Sequence, residues 1–286
     1  MSRNWSYASC FVALGLLVLH GPSAQAVPPN ETLLPVTTKG FISVTNLDRL
    51  NEQWAKTPLG QLVEDPVMKP FADDLRQQLT ERLWDLRRRL GIALDDLSGV
   101  AAGEVSVSLC QIAEDDQTAV VLLIDVTGRL QEAQQLLDKV SKNMAQEKAK
   151  ESRPQVPGAQ ARLYDLPPIE QGGEKPQTIY VLKDDLLAAS DNLGVMNEVL
   201  GRVDGRRDQT LADLVPFRQT MARCQQDAGQ PPPQFRWFIE PFGYARITRA
   251  DTPEDQRSQG KTLMEQLEVT GFDAVQGIGG FVDLAV

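Results

Sequence analysis

Few residues of this chain have types and spacing that could do acid–base or metal chemistry. Its one histidine, His20, lies within the first 26 residues, so residues 27–286 contain none. Over that stretch, serine–histidine and cysteine–histidine pairs and histidine-held metals are excluded. Carboxylates remain. Glu240 and Asp273 sit in the apolar stretches WFIEPF and TGFDAV, where burial would raise a carboxyl pKa. A carboxylate-dependent hydrolase would need both on one cleft, about 5–10 Å apart. Asp115-Asp116 and Asp184-Asp185 could meet a calcium ion, but neither pair has calcium-loop spacing. Both read as solvated turn residues. Gly277-Ile278-Gly279-Gly280 has the look of a phosphate loop. Such a loop opens a helix, whereas FVDLAV follows here, so a glycine turn in a hairpin is expected. Trp237, Phe238, Phe242 and Tyr244 form the densest aromatic cluster. A carbohydrate or peptide platform is one reading; packing into a core is the favoured one. No cofactor or metal site is expected.

The first 26 residues carry their own signal. Arg3 precedes the apolar run FVALGLLVL, Gly21 and Pro22 break it, and Ala24 and Ala26 supply small residues at cleavage spacing. This is the layout of a secretory signal peptide, with cleavage expected after Ala26. The run is about half of what a spanning helix needs, so no stable membrane span is expected after cleavage. The chain is expected to be exported, to the periplasm, cell surface or medium. Its formal net charge of −10 repels nucleic acid and anionic membrane surfaces. Arg87-Arg88-Arg89 does not reverse this, because it falls near a predicted helix end, where cations complement the dipole. Cys110 and Cys224 are the cysteines left beyond residue 26. A disulfide and two buried thiols both remain open, with free thiols favoured.

The elements follow from periodicity. Residues 27–38 are a Pro-rich, polar lead-in before the strand GFISVT. Asn46 caps a helix with Leu47, Leu50 and Trp54 on one face, and TPLGQL makes a short turn. Asp65-Pro66 opens a long helix with the stripe Phe71, Leu75, Leu79, Leu83, Leu86 and Leu90, ended by Gly91. A hairpin pairs 104–113 with 118–126. Thr127 caps a second long helix with Leu130, Ala133, Leu136, Leu137, Val140 and Met144 inward. A charged surface loop leads to strands ARLYDL, QTIYVL and LLAAS. Asn192 caps a helix over 193–202, and another runs from Pro216 to about Asp227. An aromatic strand, the short helix KTLMEQLEV and a closing strand–turn–strand complete the chain.

One phrase occurs twice: SVTNLDRLNEQW at 43–54 and AASDNLGVMNEVL at 188–200. Each is followed by a threonine-initiated turn and a proline-started helix. An internal duplication of a strand–helix–helix unit explains this, with pseudo-repeat halves 39–150 and 160–286. The fold class is α+β: a mostly antiparallel sheet built from hairpins, with helices packed on one face.

NLDRLNEQWAKTPLGQLVEDPVMKPF, WFIEPFGYARI and GFDAVQGIGGFV resemble segments of uncharacterised secreted proteins of planctomycete bacteria, a domain of unknown function. The resemblance covers most of residues 27–286 and brings no activity, cofactor or catalytic residue. Its members are longer. Together with the apolar terminal strand FVDLAV, in which Val282, Leu284 and Val286 should face a core, this implies further strands or helices beyond Val286. The expected function is that of a non-catalytic structural or interaction protein with an unknown protein or cell-surface partner. A carboxylate hydrolase using Glu240 or Asp273, or a small-ligand-binding periplasmic protein, is the alternative.

Overall fold

A computed structural model describes residues 27–71, 74, 89–112, 117–168, 176–250 and 270–284. The signal-like segment with Ala24 and Ala26, most of the stripe between Phe71 and Leu90, the acidic pair Asp115-Asp116 and the segment KTLMEQLEV lie outside the described residues.

Among the described residues nine strands form one antiparallel sheet: β1 Thr38–Val44, β2 Val105–Gln111, β3 Thr118–Asp125, β4 Lys150–Ser152, β5 Ala159–Asp165, β6 Gln177–Lys183, β7 Leu186–Ser190, β8 Phe235–Ile239 and β9 Ile278–Val282. Their order is β4-β5-β6-β7-β3-β2-β1-β8-β9. The block β3-β2-β1 lies between β5-β6-β7 and β8-β9, so the two pseudo-repeat halves share one sheet. The helices described from end to end are α1 Leu47–Lys56, α2 Pro58–Glu64, α3 Leu130–Gln146, α4 Leu193–Val203, α5 Val215–Ala228 and α6 Pro241–Ala250.

The fold is α+β and antiparallel, as expected, but helices cover both faces. The reason is legible along β3, which is buried on both sides. Val120, Leu122 and Ile124 join one core with Ala133, Leu136, Leu137, Val140 and Met144 of α3. Ala119, Val121 and Leu123 join a second core with Val195, Met196, Val199 and Leu200 of α4 and Phe217 of α5. A strand with no polar face must be covered twice. Each fully buried Leu or Val contributes about 1.5–3 kcal/mol, so both layers are needed.

Local signals placed most boundaries. The Asn46 side chain accepts from the Arg49 N–H at 2.8 Å, and the Asn192 side chain from the Val195 N–H at 3.0 Å. Each satisfies a donor that a helix start would otherwise orphan. Thr57 does the same for α2, accepting from Gly60 at 2.9 Å. TPLGQL therefore belongs to a capped helix of seven residues, not a mere turn. Gly91, at φ +61°, ends the helical pair 89–90, and a Cβ there would stand 2.4 Å from Met144 Cε.

Other expectations are corrected. Thr127 does not cap α3; its hydroxyl donates to Asp125, and Arg129 holds the cap position without a side-chain bond to the helix backbone. Leu130 is exposed, because it precedes the turn that first meets the sheet. Asp65 receives the Val67 N–H, but residues 66–68 form a turn, and helix begins only at 69–71, where Phe71 is exposed. The lead-in is no free tail. Leu33 and Leu34 are buried, and Leu34 C=O accepts from Leu211 N–H at 3.0 Å. The charged loop contains the exposed edge strand β4. Val282 is 45 % exposed, so it does not face a core.

The repeated phrase keeps its local form only. The Leu47 end of α1 packs toward the α3 face, whereas α4 buries itself on the opposite face. Leu193 is exposed and α1 has no buried residue.

Candidate functional site

Glu240 immediately follows β8, where its N–H donates to Lys39 C=O at 2.9 Å. Its carboxylate receives the Gly243 N–H at 3.1 and 3.0 Å, and Lys39 Nζ lies 3.0 Å from Oε2. Partial burial pushes the carboxyl up, but the Gly243 N–H and Lys39 outweigh it, holding Glu240 below the usual carboxylate range. This corrects the expected raised pKa. The Glu240 carboxylate anchors the start of α6 through the Gly243 N–H. A side chain at Gly243 would displace the pair: a Cβ there would lie 2.1 Å from Glu240 Oε2 and 2.5 Å from Lys39 Cδ. Asp273 falls in the 3-10 turn Phe272–Ala274, and its side chain lies outside what is described. The bonds of Glu240 go to Lys39 and α6, so its chemistry as found is that of a neutralised ion pair.

Beside this pair is a cavity of about 610 Å³, walled by Leu214, Pro216, Phe238 and Phe242 and rimmed by Arg246 and Gln276. It was not foreseen. Its walls come from α5, β8 and α6, and no local pattern announces that they converge.

The aromatic cluster divides between the two sheet faces. Phe238 is fully buried, edge-to-face with Phe217 at 5.2 Å, and Phe217 meets Phe41 at 5.6 Å. This half is core, as expected. Trp237 points to the other face, where its indole lies over Gly280. The glycine run is no hairpin turn. Ile278, Gly279 and Gly280 lie inside β9, paired with Ile239, Phe238 and Trp237. A Cβ at Gly279 would stand 2.5 Å from Thr220 Cγ2, and one at Gly280 2.8 Å from Trp237 Nε1. The glycines let α5 and the indole approach the strand, the role such residues have inside sheets.

The register assembles a further surface. Leu109, Gly40, Ile239 and Ile278 form one row; Val107, Ile42, Trp237 and Gly280 the next; Val105, Val44, Phe235 and Val282 the third. All twelve are uncharged and apolar. Tyr244 of α6 lies over Gly40 at one corner. Ile42 is nevertheless 46 % exposed, Ile278 43 % and Val282 45 %. Sequence patterning flagged each strand but not the partial exposure of this face among the described residues, which is a property of the assembled sheet.

Two charged groups that look functional are structural ties. Arg236 binds Glu104 at 2.8 Å and Glu31 at 3.2 Å, and Glu104 also receives the Asn30 N–H at 3.0 Å and the Ser43 hydroxyl. They fasten the lead-in to the sheet across up to 205 residues of sequence, a distance no local motif can report. Arg89 is no solvated helix end: it pairs with Asp191 and donates to Thr118 C=O at 2.6 Å. Asp191 also receives the Val120 N–H at 2.8 Å. Cys110 and Cys224 are free and buried, and burial pushes the Cys110 thiol up to about 12. Asp184, at φ +50°, and Asp185 form the β6–β7 turn. Among the described residues no cluster of His, Cys, Asp and Glu could hold a metal ion, and no helix is long and apolar enough to cross a membrane.

No family model matches the chain, and neither a curated protein nor a solved structure matches it.

Proposed function

We propose that this is an exported, non-catalytic interaction protein that docks its partner on the open end of the sheet. The apolar face running from β2 across β1 and β8 to β9, exposed at Ile42, Ile278 and Val282, carries the reading. Monomeric proteins rarely leave a contiguous apolar patch of this kind without a binding role. The partner it fits is a protein that supplies an uncharged, apolar β-strand. Such a strand would pair with the side of β9 turned away from β8 and lay its side chains beside Ile278 and Val282. The two sheet edges support this choice. Lys150 and Glu151 stand exposed on β4, and charge on an edge discourages strand pairing. Ile278-Gly279-Gly280-Phe281-Val282 carries no charge. The signal-like residues 1–26, the repeated strand–helix phrase and the likeness to secreted planctomycete proteins belong with this reading.

A photo-crosslinking residue at Val282 or Ile42, in native exported fractions, tests it. It should trap a protein that the same residue at Glu151 does not, and Ile278→Lys should abolish that capture. Equal capture at both edges would contradict the proposal, and a second copy of this chain in the adduct would replace the foreign partner by self-association.

A further inference from the structure

We propose that the cavity beside Glu240 binds a small carboxylic acid with an apolar body. This site is independent of the open sheet face. Its volume of about 610 Å³ falls within the ~300–1,000 Å³ of small-molecule sites. Phe238 and Phe242, both buried, give it an apolar side together with Leu214 and Pro216, while Lys39, Glu240, Arg246 and Gln276 make the rest polar. Hydroxyl-rich ligands would lose hydrogen bonds to water against such walls, so the body of the ligand is hydrocarbon or aryl.

Charge selects the head group. Three ionised side chains line the cavity: Lys39, Glu240 and Arg246. Lys39 and Glu240 neutralise each other at 3.0 Å, and Glu240 is further held by the Gly243 N–H. Arg246 is exposed and has no hydrogen bond or ion pair with any described residue. Among the described residues the cavity therefore presents one positive charge without a partner, which suits a monoanion better than a phosphate dianion. A planar guanidinium fork matches a carboxylate through two parallel N–H···O bonds. Arg246 also lies four residues after Phe242 on α6, so their side chains share one helix face a turn apart. An acid lying along α6 would meet the ring with its body and the guanidinium with its head.

Titration calorimetry with decanoate, decanol and decylamine tests the assignment. Decanoate should bind about tenfold or more tighter than decanol, with decylamine weaker still. Arg246→Gln, at an exposed position, should weaken decanoate by about tenfold and leave decanol within about twofold. Phe242→Ala should weaken both acid and alcohol; if that variant fails to fold, Leu214→Ser on the half-buried wall serves instead. Ile42→Lys on the open sheet face should leave decanoate binding within about twofold, separating cavity from surface adsorption. Absence of decanoate binding, equal binding of the three probes, or an unaffected Arg246→Gln would overturn the proposal.

Discussion

The centre and the β9 end of the sheet are made of similar residues and are treated in opposite ways. At the centre, Leu122 and Leu123 of β3 are both fully buried, one under α3 and one among α4 and α5. At the far end, Phe41 and Phe238 are buried against Phe217, while Ile42 and Trp237 on the reverse face lack comparable cover. Strand patterning alone does not separate the two regions. What separates them, among the described residues, is how much of the second face a helix covers: α3 lies along it at the centre, whereas α6 reaches it at the Gly40 corner through Tyr244. An apolar residue on a sheet is therefore core or contact surface according to its neighbours across the chain.

Paired truncations sharpen this contrast most. Leu122→Ala should cost about 3–4 kcal/mol by urea unfolding, since it leaves a cavity between sheet and α3. Ile42→Ala, two strands away, should cost less than about 1 kcal/mol, because little of its burial is lost. An equal cost at Ile42 would mean that the open face is covered after all.

The two asparagine caps give a smaller effect and ask whether local structure is indifferent to burial. Asn46→Ala and Asn192→Ala should each cost about 1 kcal/mol, although α1 is exposed and α4 buried. A large difference would show that the cap bond depends on what the helix packs against.

The smallest effect is at Glu240. Its carboxyl is held below the usual range in the folded chain. Its contribution is complete above the unfolded value and is lost as pH falls through the folded one. The urea midpoint of the native chain should thus fall more steeply than that of Glu240→Gln below about pH 4.5. Parallel slopes would mean that Lys39 and Gly243 do not favour the ionised form.

Caps, turns and periodicity were legible because they are local. Asn46, Asn192, the β2–β3 hairpin and the inward stripe of α3 from Ala133 to Met144 all stand where the residues point. The repeated phrase shows where locality ends. Arg49 and Gln53 of α1 occupy the places held by Val195 and Val199 in α4. Those two valines widen the apolar stripe of α4, together with Met196 and Leu200, into a face that can be buried; the polar pair leaves α1 with a narrow one. One shared motif thus yields two unlike packings. Glu240 was singled out for its apolar neighbours, yet its environment is set by Lys39, distant in sequence. The cavity, the Arg236–Glu104–Glu31 tie and the open face share that character, being products of register and topology.

Amide hydrogen exchange along the sheet tests the central claim most directly. In the isolated chain, Val120–Ile124 should be strongly protected, while the amides of Ile278–Val282 directed away from β8 should exchange as fast as those on the outer side of β4. Adding the protein trapped at Val282 should slow the β9 amides and leave β4 unchanged. Full protection of β9 in the monomeric chain, equal to that of β3, would mean that the edge is already occupied and that the open end of the sheet is not a docking surface.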